Sequence, residues 1–107
     1  IDKVYTQTVA SLPTGYEGNS AKLYPGYFLS KGMQNENVRD LQTYLNLISD
    51  NIPEISHVPA TGYFGEQTEN AVKIFQQLFG LPVNGMVGPV TWYNIAKQYD
   101  ILNGNSN

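Results

Sequence analysis

Cysteine is absent from this chain of 107 residues. Without cysteine the chain has neither a disulfide framework nor a thiolate zinc site. Histidine occurs once, at His57, which also excludes a zinc site built from two or more histidines. One packed core must therefore supply the stability of a small domain.

Charge and long apolar runs are also scarce. Charged residues make up 14% of the chain, the formal net charge is −3, and no basic run occurs. Nucleic-acid binding and docking on anionic lipid both need a concentrated positive footprint. No apolar run approaches the roughly 18–20 residues that span a bilayer. We therefore predict no nucleic-acid partner and no membrane association.

The chain begins at Ile1 and carries no signal peptide. We therefore expect a piece of a longer protein, whose targeting signal lies outside this sequence. The length suits one domain and a tail.

Polar uncharged residues dominate the expected surface, and eight tyrosines and one tryptophan accompany them. This mixture suits hydrogen bonding and stacking with a neutral polar ligand such as a sugar. Codon bias in an AT-rich genome produces the same composition, so the composition alone leaves both interpretations open.

The two ends of the chain lack helical periodicity. Residues 1–27 are rich in proline and glycine, which predicts a linker or irregular N-terminal extension, with a short extended strand at residues 4–9. Residues 103–107 are expected to be a disordered tail, which leaves the domain at residues 28–102. The expected packing points of the extension are Tyr24, Tyr27 and Phe28.

Three segments carry apolar residues at helical spacing. They cover residues 36–49, 66–79 and 89–99, with Asn35 as the N-cap of the first and Gly80 as the stop of the second. The second segment is apolar over nearly half of its circumference. We therefore predict that it is the central helix of an all-α fold.

An internal repeat links the second and third segments. Residues 61–68 align with residues 84–91 at an offset of 23 residues, and from the second position onward both copies read Gly-x-apolar-Gly-x-x-Thr. The first glycine permits a left-handed turn, and the apolar residue fills the core. The second glycine is predicted to be an N-cap that lets the backbone approach the core, and the threonine to bond back toward the turn. The repeat is therefore first a device for starting a helix.

These motifs resemble the three-helix peptidoglycan-binding domain that is appended to bacterial cell-wall hydrolases. Residues 38–45 match Val-x-x-Leu-Gln-x-x-Leu. Residues 61–76 match Gly-x-Phe-Gly-x-x-Thr-x-x-Ala-Val-x-x-Phe-Gln after the first position, and residues 80–92 match Gly-Leu-x-Val-x-Gly-x-Val-Gly-x-x-Thr-Trp. The similarity extends over about residues 28–102.

Two positions depart from the family pattern. The aspartate expected before each turn glycine is Thr61 in one copy and Asn84 in the other. Asparagine replaces aspartate well in a turn and threonine less well. If these aspartates contact ligand in relatives, that contact is weakened here. The loop at residues 50–61 is also longer than in the shortest relatives.

No catalytic arrangement is evident. His57 lies in a loop flanked by proline, without a Gly-x-Ser-x-Gly motif nearby. Glu66 and Glu69 lie side by side on one helix, where their negative charge favours the helix N-terminus, whereas a glycosidase needs two carboxylates across a cleft. We predict no catalytic residue, no metal ligand and no cofactor.

A binding surface needs fewer specific residues than a catalytic site does. Tyrosines next to core positions should point outward, with amide side chains close to them, although each of these residues also fits a half-buried surface position. The candidate ligand-binding residues are Tyr44, Tyr63, Gln67, Asn70, Tyr93 and Asn94. Gln42 and Gln76 are expected to bond internally to loop backbone, and Trp92 to be a core residue with its N–H bonded.

The expected fold is an orthogonal three-helix bundle with an internal turn-helix repeat. The resemblance implies a monomeric, non-catalytic module that binds peptidoglycan, through its glycan strand or its stem peptide. It would hold the linked domains of a larger exported protein, a wall hydrolase above all, at the bacterial cell wall outside the cell. The alternatives are a helical protein-interaction or autoinhibitory prodomain-like module and, third, a wall-lytic enzyme.

Overall fold

The computed structural model describes residues 21–104, which form three α-helices. These are α1 at Glu36–Asn51, α2 at Glu66–Leu78 and α3 at Pro89–Leu102. Within this range the extended pairing is limited to two isolated β-bridges, so the all-α, three-helix prediction is confirmed. None of these helices is long and apolar enough to cross a lipid bilayer. The strand predicted at residues 4–9 lies outside the described residues, as does the tail from residue 105.

Helix α1 begins at the predicted N-cap. Asn35 has an extended backbone, and its side-chain Oδ1 accepts the N–H of Val38 at 3.0 Å, which satisfies one of the free donors of the first turn. The helix continues two residues past the predicted end. It stops where Ile52 precedes Pro53, because a residue before proline is disfavoured in the α conformation.

Helix α2 ends at Leu78, one residue before the predicted end, and Phe79 is its C-cap. Gly80 follows in the left-handed conformation, at φ +70°, which confirms it as the predicted stop. The prediction that α2 is central is wrong, because the most extensive helix–helix contact in residues 21–104 is between α1 and α3. Helix α2 also contacts turns. Its Gln76, for example, bonds to the turn before α3.

Helix α3 begins with Pro89 at its first position, where the missing N–H costs nothing. It runs three residues beyond the predicted end at Tyr99, because neither proline nor glycine interrupts it before Gly104. Trp92 and Ile95 are buried on its inner face.

The core contains residues from outside the helices as well as from within them. Phe64 and Val87 are fully buried, which confirms that the apolar residue of each repeat copy fills the core. Leu29 joins them from the chain before α1. The other large buried side chains of the core are Val38, Leu41, Tyr44, Leu45, Ile48, Ile55, Val58, Val72, Phe75, Trp92 and Ile95.

The segment before α1 packs on α1 and α3 in its described part. The N–H of Lys22 donates to the hydroxyl of Tyr44 at 2.9 Å, and its carbonyl accepts the indole N–H of Trp92 at 2.9 Å. Tyr24 contacts Trp92 edge-on, with ring centroids 6.3 Å apart. The prediction that Trp92 is a core residue with a bonded N–H is confirmed, and residues 22–24, which we assigned to the linker, contact the domain.

The loop between α1 and α2 is fixed by side chains of α1. The amide of Asn46 bonds to both backbone groups of Val58, accepting its N–H at 2.8 Å and donating to its carbonyl at 2.9 Å. The hydroxyl of Ser49 donates to the carbonyl of Ile55. These bonds hold the long loop against the body of the domain.

Candidate functional site

The two glycine turns of the repeat adopt the same backbone conformation. Gly62 and Gly85 have φ of +87° and +76°, which is the left-handed region that favours glycine. Gly65 and Gly88 cap α2 and α3 with φ of −100° and −98°. The repeat inferred from the sequence is therefore a repeat of backbone structure.

Gln76 of α2 fastens the second turn. Its Oε1 accepts the N–H groups of Asn84 at 3.0 Å and Gly85 at 2.9 Å. Its Nε2 lies within donating distance of Met86 O at 2.9 Å, Asn84 Oδ1 at 3.0 Å and Thr91 Oγ1 at 3.1 Å. Because Gln76 is buried, these bonds satisfy polar groups that water reaches poorly.

Gln42 of α1 fastens the first turn in the same way. Its Oε1 accepts the N–H of Gly62 at 2.8 Å, and its Nε2 donates to Tyr63 O at 2.8 Å and Thr68 Oγ1 at 3.0 Å. The internal role predicted for both glutamines is confirmed. The threonines of the repeat were expected to bond back to the turn. Instead, the hydroxyl of Thr68 accepts a hydrogen bond from Gln42, and that of Thr91 accepts one from Gln76.

The two departures from the family pattern still support their turns. The hydroxyl of Thr61 accepts the N–H of Tyr63 at 3.1 Å, and Oδ1 of Asn84 accepts the N–H of Met86 at 2.9 Å. Each side chain thus closes a short loop onto the backbone two residues ahead.

A single segment, residues 29–35, pairs with both turns, and we call it the clasp. Near its start Leu29 and Val87 exchange two backbone hydrogen bonds, at 3.0 and 2.9 Å. Near its end Gln34 lies opposite Tyr63 in the second bridge. Five residues of extended chain span at most about 18 Å, so the two turns lie close together. No periodic pattern in the sequence signals this pairing.

A shallow groove of about 310 Å³ lies beside the first turn. Its lining residues are Gln42, Pro59, Thr61, Tyr63, Gly65, Glu66, Gln67 and Thr68. The side chain of Tyr63 is 48% exposed. A Cβ on Gly65 would lie 3.1 Å from Cε2 of this ring. Gly65 was predicted to let the backbone approach the core. In the structure its missing side chain instead leaves room for the exposed ring of Tyr63.

A second groove, of about 250 Å³, is also lined by Thr61. It is lined by Gln34, Asn35, Glu36, Thr61 and Gly62. Thr61 therefore borders both grooves, at a position where the family pattern has aspartate. Among the described residues neither groove is lined by a lysine or arginine, and each contains one glutamate.

The structure brings together two of the predicted binding residues and places three others apart. Tyr63 and Gln67 line the first groove, and Asn70 is exposed further along α2. Tyr93 and Asn94 are half-buried on α3 and line neither groove.

The side chains on α3 have neighbours of their own. The ammonium of Lys97 lies 5.9 Å from the ring centroid of Tyr93. Asn94 donates from Nδ2 to the carbonyl of Val90 at 2.9 Å. Both interactions are within α3.

Tyr44, also predicted to contact ligand, lies in the core with 6% of its surface exposed. Its ring packs against Trp92 and Tyr99, with centroid distances of 5.8 and 4.4 Å. Burial raises the pKa of Tyr44 above its ordinary value, although the hydrogen bond from Lys22 opposes this shift. We therefore leave Tyr44 out of the candidate surface.

Two pairs of charged or titratable side chains lie outside the grooves. Lys22 and Asp40 are joined at 2.9 Å, and this hydrogen bond, with the charge of Asp40, raises the pKa of Lys22. His57 Nε2 lies 2.6 Å from Asp50 Oδ1 in an exposed pair that lines neither groove. Across residues 21–104 no three His, Asp or Glu side chains converge as a metal site would require.

Sequence reasoning did not assign Pro59, Glu66 or Thr61 to the binding surface, although all three line the first groove. Pro59 comes from the long loop and is brought to Tyr63 by tertiary structure. Glu66 was interpreted through its helix position alone. Thr61 was noted only as a departure from the family, although that departure marks the border of both grooves.

Comparison with known proteins points to a single family. Residues 34–95 match the family described as "Putative peptidoglycan binding domain". A protein of Bacillus licheniformis named "Probable N-acetylmuramoyl-L-alanine amidase" is 31% identical over 86 residues. That alignment covers 80% of this chain and 22% of the amidase, so the chain spans about a fifth of that relative.

Two solved structures share the fold. The SleB N-terminal domain has a TM-score of 0.61 and 29% identity, covering 71% of this chain and 97% of that one. A peptidoglycan-binding protein from Clostridioides difficile, in complex with glutamine hydroxamate, has a TM-score of 0.60 and 29% identity. There the match covers 70% of this chain and 44% of that one. Because the family match covers more than half of its residues, the chain belongs to the peptidoglycan-binding domain family.

Proposed function

We propose that wall polymer binds in the groove beside Tyr63, and that the domain is a non-catalytic anchor for an attached wall hydrolase outside the cell. The observation that carries this proposal is the half-exposed ring of Tyr63 at the edge of the groove. Membership of the family indicates peptidoglycan as the ligand, and the groove is where we expect it to bind.

The groove offers the groups that a sugar or a peptide amide needs. The ring of Tyr63 presents a flat apolar face, on which the C–H face of a sugar can rest. The side-chain amide of Gln67 and the hydroxyl of Thr61 lie on the same lining and can hydrogen-bond to hydroxyl or acetamido groups.

The turn holds Tyr63 in place before ligand arrives. Its N–H donates to the hydroxyl of Thr61 at 3.1 Å, and its carbonyl accepts from Gln42 Nε2 at 2.8 Å. Fixing the backbone on both sides lowers the ordering cost on binding. Preorganisation therefore favours Tyr63 as the central contact, with Gln67 and Asn70 extending the surface along α2.

The shallowness of the groove favours weak, reversible binding. A volume of about 310 Å³ is at the low end of ligand pockets. Weak binding suits a tethered module, because attachment raises the local concentration of the linked domain near its polymer. The amidase relative has this organisation in outline, since the shared region is 22% of its length.

Retention on purified insoluble cell wall tests the proposal. We expect Tyr63→Ala to lower the fraction that sediments with the wall, on the order of tenfold in affinity. Leu78→Ala is the matched control, because Leu78 is 47% exposed at the other end of α2 against 48% for Tyr63. Tyr93→Ala, measured separately, tests the contribution of α3.

Two results would contradict the proposal. Equal retention of Tyr63→Ala and the unsubstituted domain would remove the groove as the binding site. Clearing of a turbid wall suspension by the domain alone would show catalysis where we expect only binding.

A further inference from the structure

A second exposed ring repeats the arrangement of Tyr63. A Cβ on Gly88 would lie 2.5 Å from Cε2 of Phe28, just as one on Gly65 would approach Cε2 of Tyr63. Phe28 is 53% exposed. The N-cap glycines of α2 and α3 thus each carry an aromatic ring with a large part of its surface in solvent. We call these two rings the aromatic platforms.

The second platform comes from a different part of the chain. In the second turn the position equivalent to Tyr63 is Met86, which is 37% exposed and not aromatic. The ring on Gly88 is supplied instead by the residue before the clasp, since the pairing of Leu29 with Val87 brings Phe28 opposite Gly88. The same surface feature therefore arises twice by different routes.

We propose that Phe28 is a second sugar subsite, and that one glycan strand stacks on both aromatic platforms. This inference rests on the proposed function, because it takes the groove at Tyr63 as the first subsite. It commits to the glycan rather than to the stem peptide.

Charge favours the glycan over the stem peptide. Stem peptides carry carboxylates, which call for lysine or arginine in a binding site. Neither described groove is lined by a basic residue, and the first contains Glu66. Phe28 is flanked in the chain by Tyr27 and Leu29, neither of which is charged. A neutral N-acetylated sugar needs no charged partner at either ring.

Spacing favours a single strand across both platforms. The clasp limits the separation of Leu29 and Gln34 to about 18 Å, and each of these residues lies beside one platform. A short oligosaccharide can bridge such a separation. Once one sugar ring is bound, the next subsite is met at high effective concentration, so affinity should rise with strand length.

The test uses N-acetylglucosamine oligosaccharides of two and six units, measured by titration calorimetry on the whole chain. We expect the hexasaccharide to bind on the order of tenfold more tightly than the disaccharide. Phe28→Ala should remove most of that gain and change disaccharide affinity by less than about twofold, since one platform remains. Phe28→Tyr should bind like the unsubstituted chain.

Phe28→Leu separates stacking from general apolar contact. Leucine keeps much of the apolar surface but lacks the flat ring, so we expect it to behave like Phe28→Ala. Full hexasaccharide affinity in Phe28→Leu would overturn the inference, because stacking on a flat ring would then not be required. Circular dichroism of each variant establishes that the helices are intact.

Other results separate this inference from the proposed function. If Tyr63→Ala loses wall retention while Phe28→Ala keeps full hexasaccharide affinity, the second subsite is wrong and the groove stands. If the domain shows no detectable binding to a peptide-free glycan but binds a stem tripeptide, the choice of glycan is overturned. If the unsubstituted domain does not sediment with cell wall at all, the proposed function itself fails.

Discussion

Replacing Gln76 by methionine tests whether the buried glutamines hold the turns. Methionine matches glutamine in length and volume and is a good helix former, so packing and helix propensity change little. What disappears is the amide that accepts two turn N–H groups and donates to turn acceptors. The variant therefore isolates the hydrogen bonds from the shape of the side chain.

The size of the effect follows from which partners water can reach. The N–H of Gly85 is buried, whereas Asn84 and Met86 are exposed residues whose groups can turn to solvent. A buried donor left without a partner costs about 1–3 kcal/mol, and each weakened exposed bond costs less. We expect a total of about 2–4 kcal/mol, which for a domain of this size corresponds to a loss of roughly 10–25 °C in Tm.

Thermal unfolding followed by circular dichroism, with a urea titration beside it, measures the change. Gln77→Met is the matched control, because Gln77 is the next residue on α2 and its side chain is exposed. We expect that control to change the free energy of unfolding by less than about 0.5 kcal/mol. If Gln76→Met and Gln77→Met melt within a few degrees of each other, the bonds of Gln76 contribute no net stability and the argument fails.

Three further predictions concern the turns, the core tyrosine and the long loop. Gly62→Ala should destabilise more than Gly104→Ala by about 1 kcal/mol or more in urea unfolding. Both glycines have positive φ, but only at Gly62 would a Cβ meet backbone, 3.2 Å from Asn35 O. Because burial raises the pKa of Tyr44 above 10.0, the stability it contributes is complete below pH 10 and is lost as pH rises through the raised value. Tyr44→Phe should therefore make the fall in Tm above pH 10 less steep, and an unchanged slope would contradict this. Asn46→Ala should cost about 1–3 kcal/mol by freeing both backbone groups of Val58, with Asn51→Ala on the exposed end of α1 as the control.

Local signals predicted the helices, the caps and the turns. Asn35 and Gly80 stand at the N-cap and stop positions that short-range chemistry favours, and the structure has them there. The repeat located both left-handed glycines, because Gly-x-apolar-Gly encodes a turn within four residues. The inward roles of Gln42 and Gln76 were also inferred correctly from their places on the helices.

What the sequence did not predict depends on contacts between distant residues. The clasp joins Leu29 to Val87 across the whole domain, through a single bridge that has no alternating pattern. Tyr44 lies beside the buried stripe of α1 in sequence and was therefore assigned to its edge. Its burial depends on contacts with the distant residues Lys22, Trp92 and Tyr99. Pro59 joins the groove because Asn46 holds its loop, which helical periodicity does not describe.

The glutamine bonds run in one direction along the chain. Gln42 in α1 secures the bend that launches α2, and Gln76 in α2 secures the bend that launches α3. In both cases the glutamine precedes in the chain the turn that it stabilises, and that turn precedes the next helix. A chain emerging from the ribosome meets these partners in the order in which they are needed, so each turn can form its glutamine bonds as soon as it has been synthesised.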